Sequence, residues 1–187
     1  YDFEAFKNSK TAFYVTCSNV ETGEPEYLRI TDMKEQIDLM RASASLPYVS
    51  RLVEADGMKL LDGGCTDSIP VEKFREMGYT KTVVVLTRNR GYVKKPENEK
   101  LTGIYYRHYP NFVEALKTRH MRYNETVQKI EELEREGKIF VIRPSQELTI
   151  GRTERNPIKL QETYETGRRD ALCRMKDLIE WWNKAEK

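Results

Sequence analysis

The stretch "VEADGMKLLDGG", residues 53–64, carries two turn signals in quick succession. Asp56-Gly57 lies between two short apolar runs, the signature of a two-residue β-hairpin. The arm from Met58 to Leu61 must therefore run back against the chain before it, and it leads straight into Asp62. Gly63 and Gly64 follow, two residues that cost backbone entropy and offer no side chain to pack. They mark a sharp turn or a close approach of another chain segment. The next stretch, "DSIPVEKFREMG", reads as a short helix: Asp67 or Ser68 caps it, Pro70 suits its first turn, and Gly78 ends it. Asp62 thus stands where a strand gives way to a loop ahead of a helix.

The rest of the chain alternates strand and helix signals. Residues 11–19, "TAFYVTCSN", read as a buried strand, and "ETGEPEY" as a turn. Asp32 with Glu35 three residues on resembles a capping box, and Met33, Ile37, Met40 and Ala44 follow at helical spacing. "KTVVVLT", residues 81–87, is continuously apolar at its centre, the pattern of a strand covered on both faces in a parallel sheet. Residues 88–103 read as a loop, 111–136 as a helix interrupted near 121–124 and closed by Gly137, and 138–144 as a last strand. Asn156-Pro157 opens a long helix with the stripe Tyr164, Ala171, Met175, Leu178 and Trp182. The sum is an α/β fold: a partial, parallel-type sheet with flanking helices and a helical C-terminal region. Residues 1–108 are expected to form one part and 109–187 a helix-strand-helix second part.

Composition narrows the function classes. The 187 residues carry a net charge of +2, which argues against wholesale nucleic-acid binding. Cys17, Cys65 and Cys173 are too widely spaced for a zinc pattern and odd in number, so free thiols in a reducing compartment are expected. No apolar run reaches ~18 residues, the length needed to span a bilayer. A cytoplasmic location is the expectation. The chain begins at Tyr1, and few sheet strands are visible, so a piece of a longer protein is expected, with an exposed apolar edge at 83–86 through which copies associate.

The residues alone leave two readings of Asp62 open. Asp-Gly-Gly is common in plain turns. A carboxylate at a strand end ahead of a helix is also where open α/β sheets place their sites. A wider pattern bears on the choice. "RASASLPYVS", "VEADGMKLLDGGCTDSIP" and "TKTVVVLTRN" occur in this order at close spacing, followed by "YPNFVEALKTRHMRYNETVQKIEELEREGKIFVIRPS" and "IGRTERNPIKLQETYETG". Together they resemble the patatin-like phospholipases, most closely their bacterial branch. The resemblance is most specific over residues 41–88. It implies a serine–aspartate dyad acting on lipid or simple esters, with Asp62 as the base and Gly63 and Gly64 as its support. It implies an α/β/α core and no metal or organic cofactor.

The pattern departs from that family at one point. None of Ser9, Ser18, Ser43, Ser45, Ser50, Ser68 or Ser145 lies in a Gly-x-Ser-x-Gly elbow, and no glycine-rich anion loop precedes them. The nucleophile and oxyanion donors are therefore expected outside this chain, which alone should be inactive. The alternative is a non-catalytic α/β interaction module in which Asp-Gly-Gly is only a turn. Arg88 and Arg90, with Lys94 and Lys95, form a basic loop that reads as solvated or as a contact for an anionic headgroup or membrane surface. Asp62, Asp67 and Glu72 do not follow a known cation loop. His108 and His120 are remote in sequence from Asp62. Trp182, on the apolar stripe, is the expected packing residue of the pair Trp181-Trp182.

Overall fold

The computed structural model describes residues 1–151 and 153–184. Its elements in chain order are α1 (Phe3–Lys7), β1 (Phe13–Asn19), β2 (Pro25–Ile30), α2 (Ile37–Ser43), β3 (Val53–Ala55), β4 (Met58–Asp62), α3 (Val71–Glu76), β5 (Thr82–Val85), α4 (Glu99–Tyr105), α5 (Pro110–Arg135), β6 (Ile139–Ile142) and α6 (Pro157–Asn183). A short 3-10 turn, Gly63–Cys65, follows β4. The chain divides into two compact units: residues 1–70 with 94–126, and residues 71–93 with 127–187.

The first unit is built on an antiparallel sheet in the order β2-β1-β4-β3. The hairpin forms as its sequence requires. Ala55 pairs with Met58, and Asp56 and Gly57 both take positive φ, 50° and 73°, as a tight turn between twisted strands demands. Alternation along β4 explains the adjacent leucines. Leu60 packs with Val15, Cys17, Leu39 and Val53, and Leu61 packs with Val20, Cys65, Phe112 and Leu116. Successive strand residues point to opposite faces, so β4 is apolar on both because both are covered. Asp62 ends this strand, paired across the ladder with Cys17.

The second unit contains the parallel pair β5–β6, with Val83 opposite Phe140 and Val84 opposite Val141. Phe140 also packs on Trp181 of α6, whose indole Nε1 donates to the Gly137 carbonyl at 2.8 Å. Asn156 caps α6 by accepting from the Ile158 and Lys159 amides. Gly137, at φ 70°, closes α5.

Several expectations are corrected. The parallel sheet is confined to β5 and β6; the larger sheet is antiparallel, because the Asp56-Gly57 hairpin and the β1–β2 ladder both reverse the chain. "EPEY" is not only turn: residues from Pro25 onward form β2, an edge strand where a missing amide proton is tolerated. Val85 is 70% exposed, so β5 is not covered on both faces. The end of the loop read over 88–103 belongs to helix α4, Glu99–Tyr105, and α5 runs unbroken through 121–124. The buried face of α2 is Leu39 and Ala42, and Ile37 is exposed. Asp32 does accept from the Glu35 amide, but Gln36, not Glu35, reaches back to the Asp32 amide. Trp182 is exposed, and Trp181 is the residue that packs. The α6 stripe is itself half-open, with Tyr164 and Met175 exposed. Among the described residues no helix is long and apolar enough to cross a membrane.

Candidate functional site

The loop after β4 answers what two adjacent glycines are for. A Cβ on Gly63 would stand 2.3 Å from the Thr16 carbonyl oxygen of β1, so only glycine lets the turn lie this close to the strand. A Cβ on Gly64 would stand 3.0 Å from Asp62 Oδ1, 3.4 Å from Arg119 Nη2 and 3.7 Å from Ser68 Oγ. Gly63 is required by backbone, and Gly64 sits in a corner shared by polar side chains.

The loop is buried enough that its polar groups need partners. The Asp62 amide donates to the Ser45 carbonyl at 2.9 Å. The Asp62 carbonyl accepts from Ser18 Oγ at 2.8 Å. The Gly63 carbonyl accepts from the amides of Thr66 and Asp67. The Gly64 carbonyl accepts from Arg119 Nε at 2.5 Å and from Ser68 Oγ at 2.9 Å. Arg122 donates to the Cys65 carbonyl through Nη2 and to the Thr66 carbonyl through Nε, at 3.3 and 3.2 Å. Two arginines from α5 thus hold three consecutive carbonyls. Arg119 is 8% exposed, and its Nη1 is paired with Glu97 Oε1 at 2.8 Å. Burial lowers the pKa of Arg122 from its ordinary value.

Asp62 is half-buried. Its Oδ1 accepts from the Gly64 amide at 2.7 Å and so caps the 3-10 turn. Among the described residues its Oδ2 has no hydrogen-bond partner. One oxygen fixes the carboxylate and the other is unspent. Asp67, by contrast, uses both oxygens, accepting from Tyr27 Oη at 2.7 Å and from the Ile69 amide. Ser68, offered by its sequence as a helix cap, instead binds back to the Gly64 carbonyl.

The other candidates lie elsewhere. Arg88 and Arg90 belong to the second compact unit. There the Arg88 guanidinium lies 4.8 Å from the Tyr92 ring centroid, and Arg90 pairs with Glu134 at 3.0 Å. The His120 ring lies 2.9 Å from the Lys117 carbonyl, one turn back on its own helix, and His108 contacts the neighbouring Arg107. The sequence reading missed Arg119, Arg122 and Glu97. A signal for Arg119 was present: it falls in line with Phe112, Ala115 and Leu116 at helical spacing, and an arginine on a buried stripe must find partners.

The cysteines give a first expected result. Cys17 and Cys65 are buried and Cys173 is exposed. Burial, assisted by the Asp62 charge, pushes the Cys17 thiol up to about 11 and the Cys65 thiol up to about 12. Both protons are held more tightly in the folded chain. Their stabilising contribution is therefore complete below the unfolded thiol value of about 8.5 and is lost as pH rises toward 11–12. At pH 8, alkylation followed by mass spectrometry is expected to label Cys173 rapidly, and Cys17 and Cys65 only in urea. Labelling of either buried thiol at the Cys173 rate would contradict this burial.

Two comparisons with known proteins bear on the chain. Residues 109–183 match a family model described as a domain of unknown function (DUF6363). The chain is also 34% identical over 80 residues to the "Uncharacterized protein YjjU" of Escherichia coli (strain K12), a match that covers 42% of this chain and only 22% of the relative. Neither finding carries a patatin-like phospholipase assignment, so the resemblance read across nearly the whole chain, and most specifically over residues 41–88, is corrected: the matches are to a domain of unknown function and to an uncharacterized protein.

Proposed function

We propose that this chain supplies the general base, Asp62, of a serine ester hydrolase whose nucleophile and oxyanion donors lie on residues beyond these 187. The observation that carries the reading is the division of labour on one carboxylate. Oδ1 is tied to the Gly64 amide, and Oδ2 has no partner among the described residues although the Asp62 amide and carbonyl are both bound. A fixed carboxylate with one free oxygen suits proton transfer from a hydroxyl within hydrogen-bond reach. In acylation Asp62 takes the serine proton as Oγ attacks the ester carbonyl, then gives it to the departing alkoxide. In deacylation it takes a proton from water and returns it to serine. The substrate class is a lipid or small acyl ester, with transient contact to a membrane surface. Copies of the chain would meet through the β5–β6 pair, where Val85 is exposed.

A second reading has its own support. The bond from the Gly64 amide to Oδ1 is a turn cap, which is all that a non-catalytic interaction module would ask of Asp62. Hydrolysis of p-nitrophenyl esters of several chain lengths by the full-length gene product and by the 187-residue chain separates the two. Turnover is expected from the first and none from the second. Turnover by the short chain would place a nucleophile within it, and none by either across the ester series would favour the module.

A further inference from the structure

We infer that Arg119, anchored by Glu97, is the positioning residue of the Asp62 loop, with Arg122 fixing the two carbonyls that follow. This rests on the reading of Asp62 as a base only in the meaning given to the position; the positioning itself has its own test. The guanidinium spends Nε on the Gly64 carbonyl and Nη1 on Glu97. Its Nη2 has no hydrogen-bond partner among the described residues and lies on the side of Gly64 that also carries Asp62 Oδ1. Gly64 is the link: its carbonyl is held by Arg119, and its amide holds Asp62. Glycine is the most permissive residue in the chain, so without an external hold this link is the weakest part of the turn. The planar fork of arginine sets the orientation of the Gly64 carbonyl while a second in-plane bond stops the side chain from rotating. A lysine ammonium offers one point charge and cannot do both.

The matched segment thereby gains a role. Arg119 and Arg122 both fall within residues 109–183, so the first turns of the domain of unknown function serve as the backing of the Asp-Gly-Gly loop. Glu97, from the segment before α4, completes the hold on Arg119 from the far side.

The test is amide hydrogen exchange, read residue by residue by NMR on the 187-residue chain, for Arg119→Lys and Glu97→Gln. In Arg119→Lys the Gly64 amide is expected to exchange about tenfold faster or more, with the Leu60 and Leu61 amides unchanged, as a local opening requires. In Glu97→Gln, which leaves the bond to the Gly64 carbonyl but loosens its anchor, about threefold is expected. Unchanged Gly64 exchange in both variants would overturn the inference. Uniform acceleration of all amides in Arg119→Lys would assign Arg119 to general stability, unless Glu97→Gln still accelerates Gly64 alone. In the full-length gene product, Arg119→Lys is further expected to lower kcat about tenfold with KM unchanged. Faster Gly64 exchange with an inert Asp62→Asn substitution would uphold the positioning and remove the hydrolase. A strong Asp62→Asn effect with unchanged Gly64 exchange would do the reverse.

Discussion

Asp62→Asn in the full-length gene product is expected to lower ester turnover by on the order of a hundredfold or more while leaving its unfolding midpoint close to the parent value. The substitution separates the two duties of the side chain. Asparagine keeps an Oδ1 acceptor, so the 2.7 Å bond from the Gly64 amide survives and the 3-10 turn stays capped. What it removes is basicity at the second oxygen, the one without a partner among the described residues. Asp62→Ala removes both duties and should add a stability loss of about 1 kcal/mol, the usual worth of such a cap. The measurement is p-nitrophenyl ester hydrolysis beside thermal unfolding for the parent and both variants. If Asn turns over like Asp, and only Ala is impaired through its stability, Asp62 is a turn residue and the module reading stands.

Gly63→Ala is expected to destabilise the chain by about 3 kcal/mol or more, measured by urea unfolding, whereas Gly64→Ala should cost about 1 kcal/mol. The difference comes from what each methyl meets. At Gly63 the obstacle is the Thr16 carbonyl oxygen at 2.3 Å, fixed in the ladder of β1, so backbone must move on one side or the other. At Gly64 the nearest atom is Asp62 Oδ1 at 3.0 Å, the end of a side chain that can turn aside. That turning has its own consequence: Gly64→Ala should leave a folded chain whose Asp62 is displaced from the Gly64 amide. In the full-length product its activity loss should exceed its stability loss. Equal stability losses for the two alanines would mean that β1 and the turn do not approach this closely.

The sharpest local signals were legible in the residues. Asp56-Gly57 made its hairpin because a two-residue turn with two positive φ values suits few other pairs. Asn156-Pro157 started α6, and Gly137 ended α5, because caps and stops act over a single turn. The position of Asp62 at the end of β4 followed from the same hairpin. Pairing was not legible. A strand's period of two is the same in parallel and antiparallel ladders, so "KTVVVLT" was read correctly as parallel while the larger sheet, built from β1 to β4, was not. Burial of β5 was overstated because three valines in a row give no sign of which face finds a neighbour, and Val85 finds little. The site divides in the same way. Sequence singled out Asp62, Gly63 and Gly64. Only the tertiary structure shows that Gly63 is demanded by the Thr16 carbonyl, and that Arg119 and Arg122 hold the loop from a helix more than fifty residues away. A carbonyl's partner is chosen by proximity in space, and no local pattern around Gly64 encodes which distant side chain will arrive there.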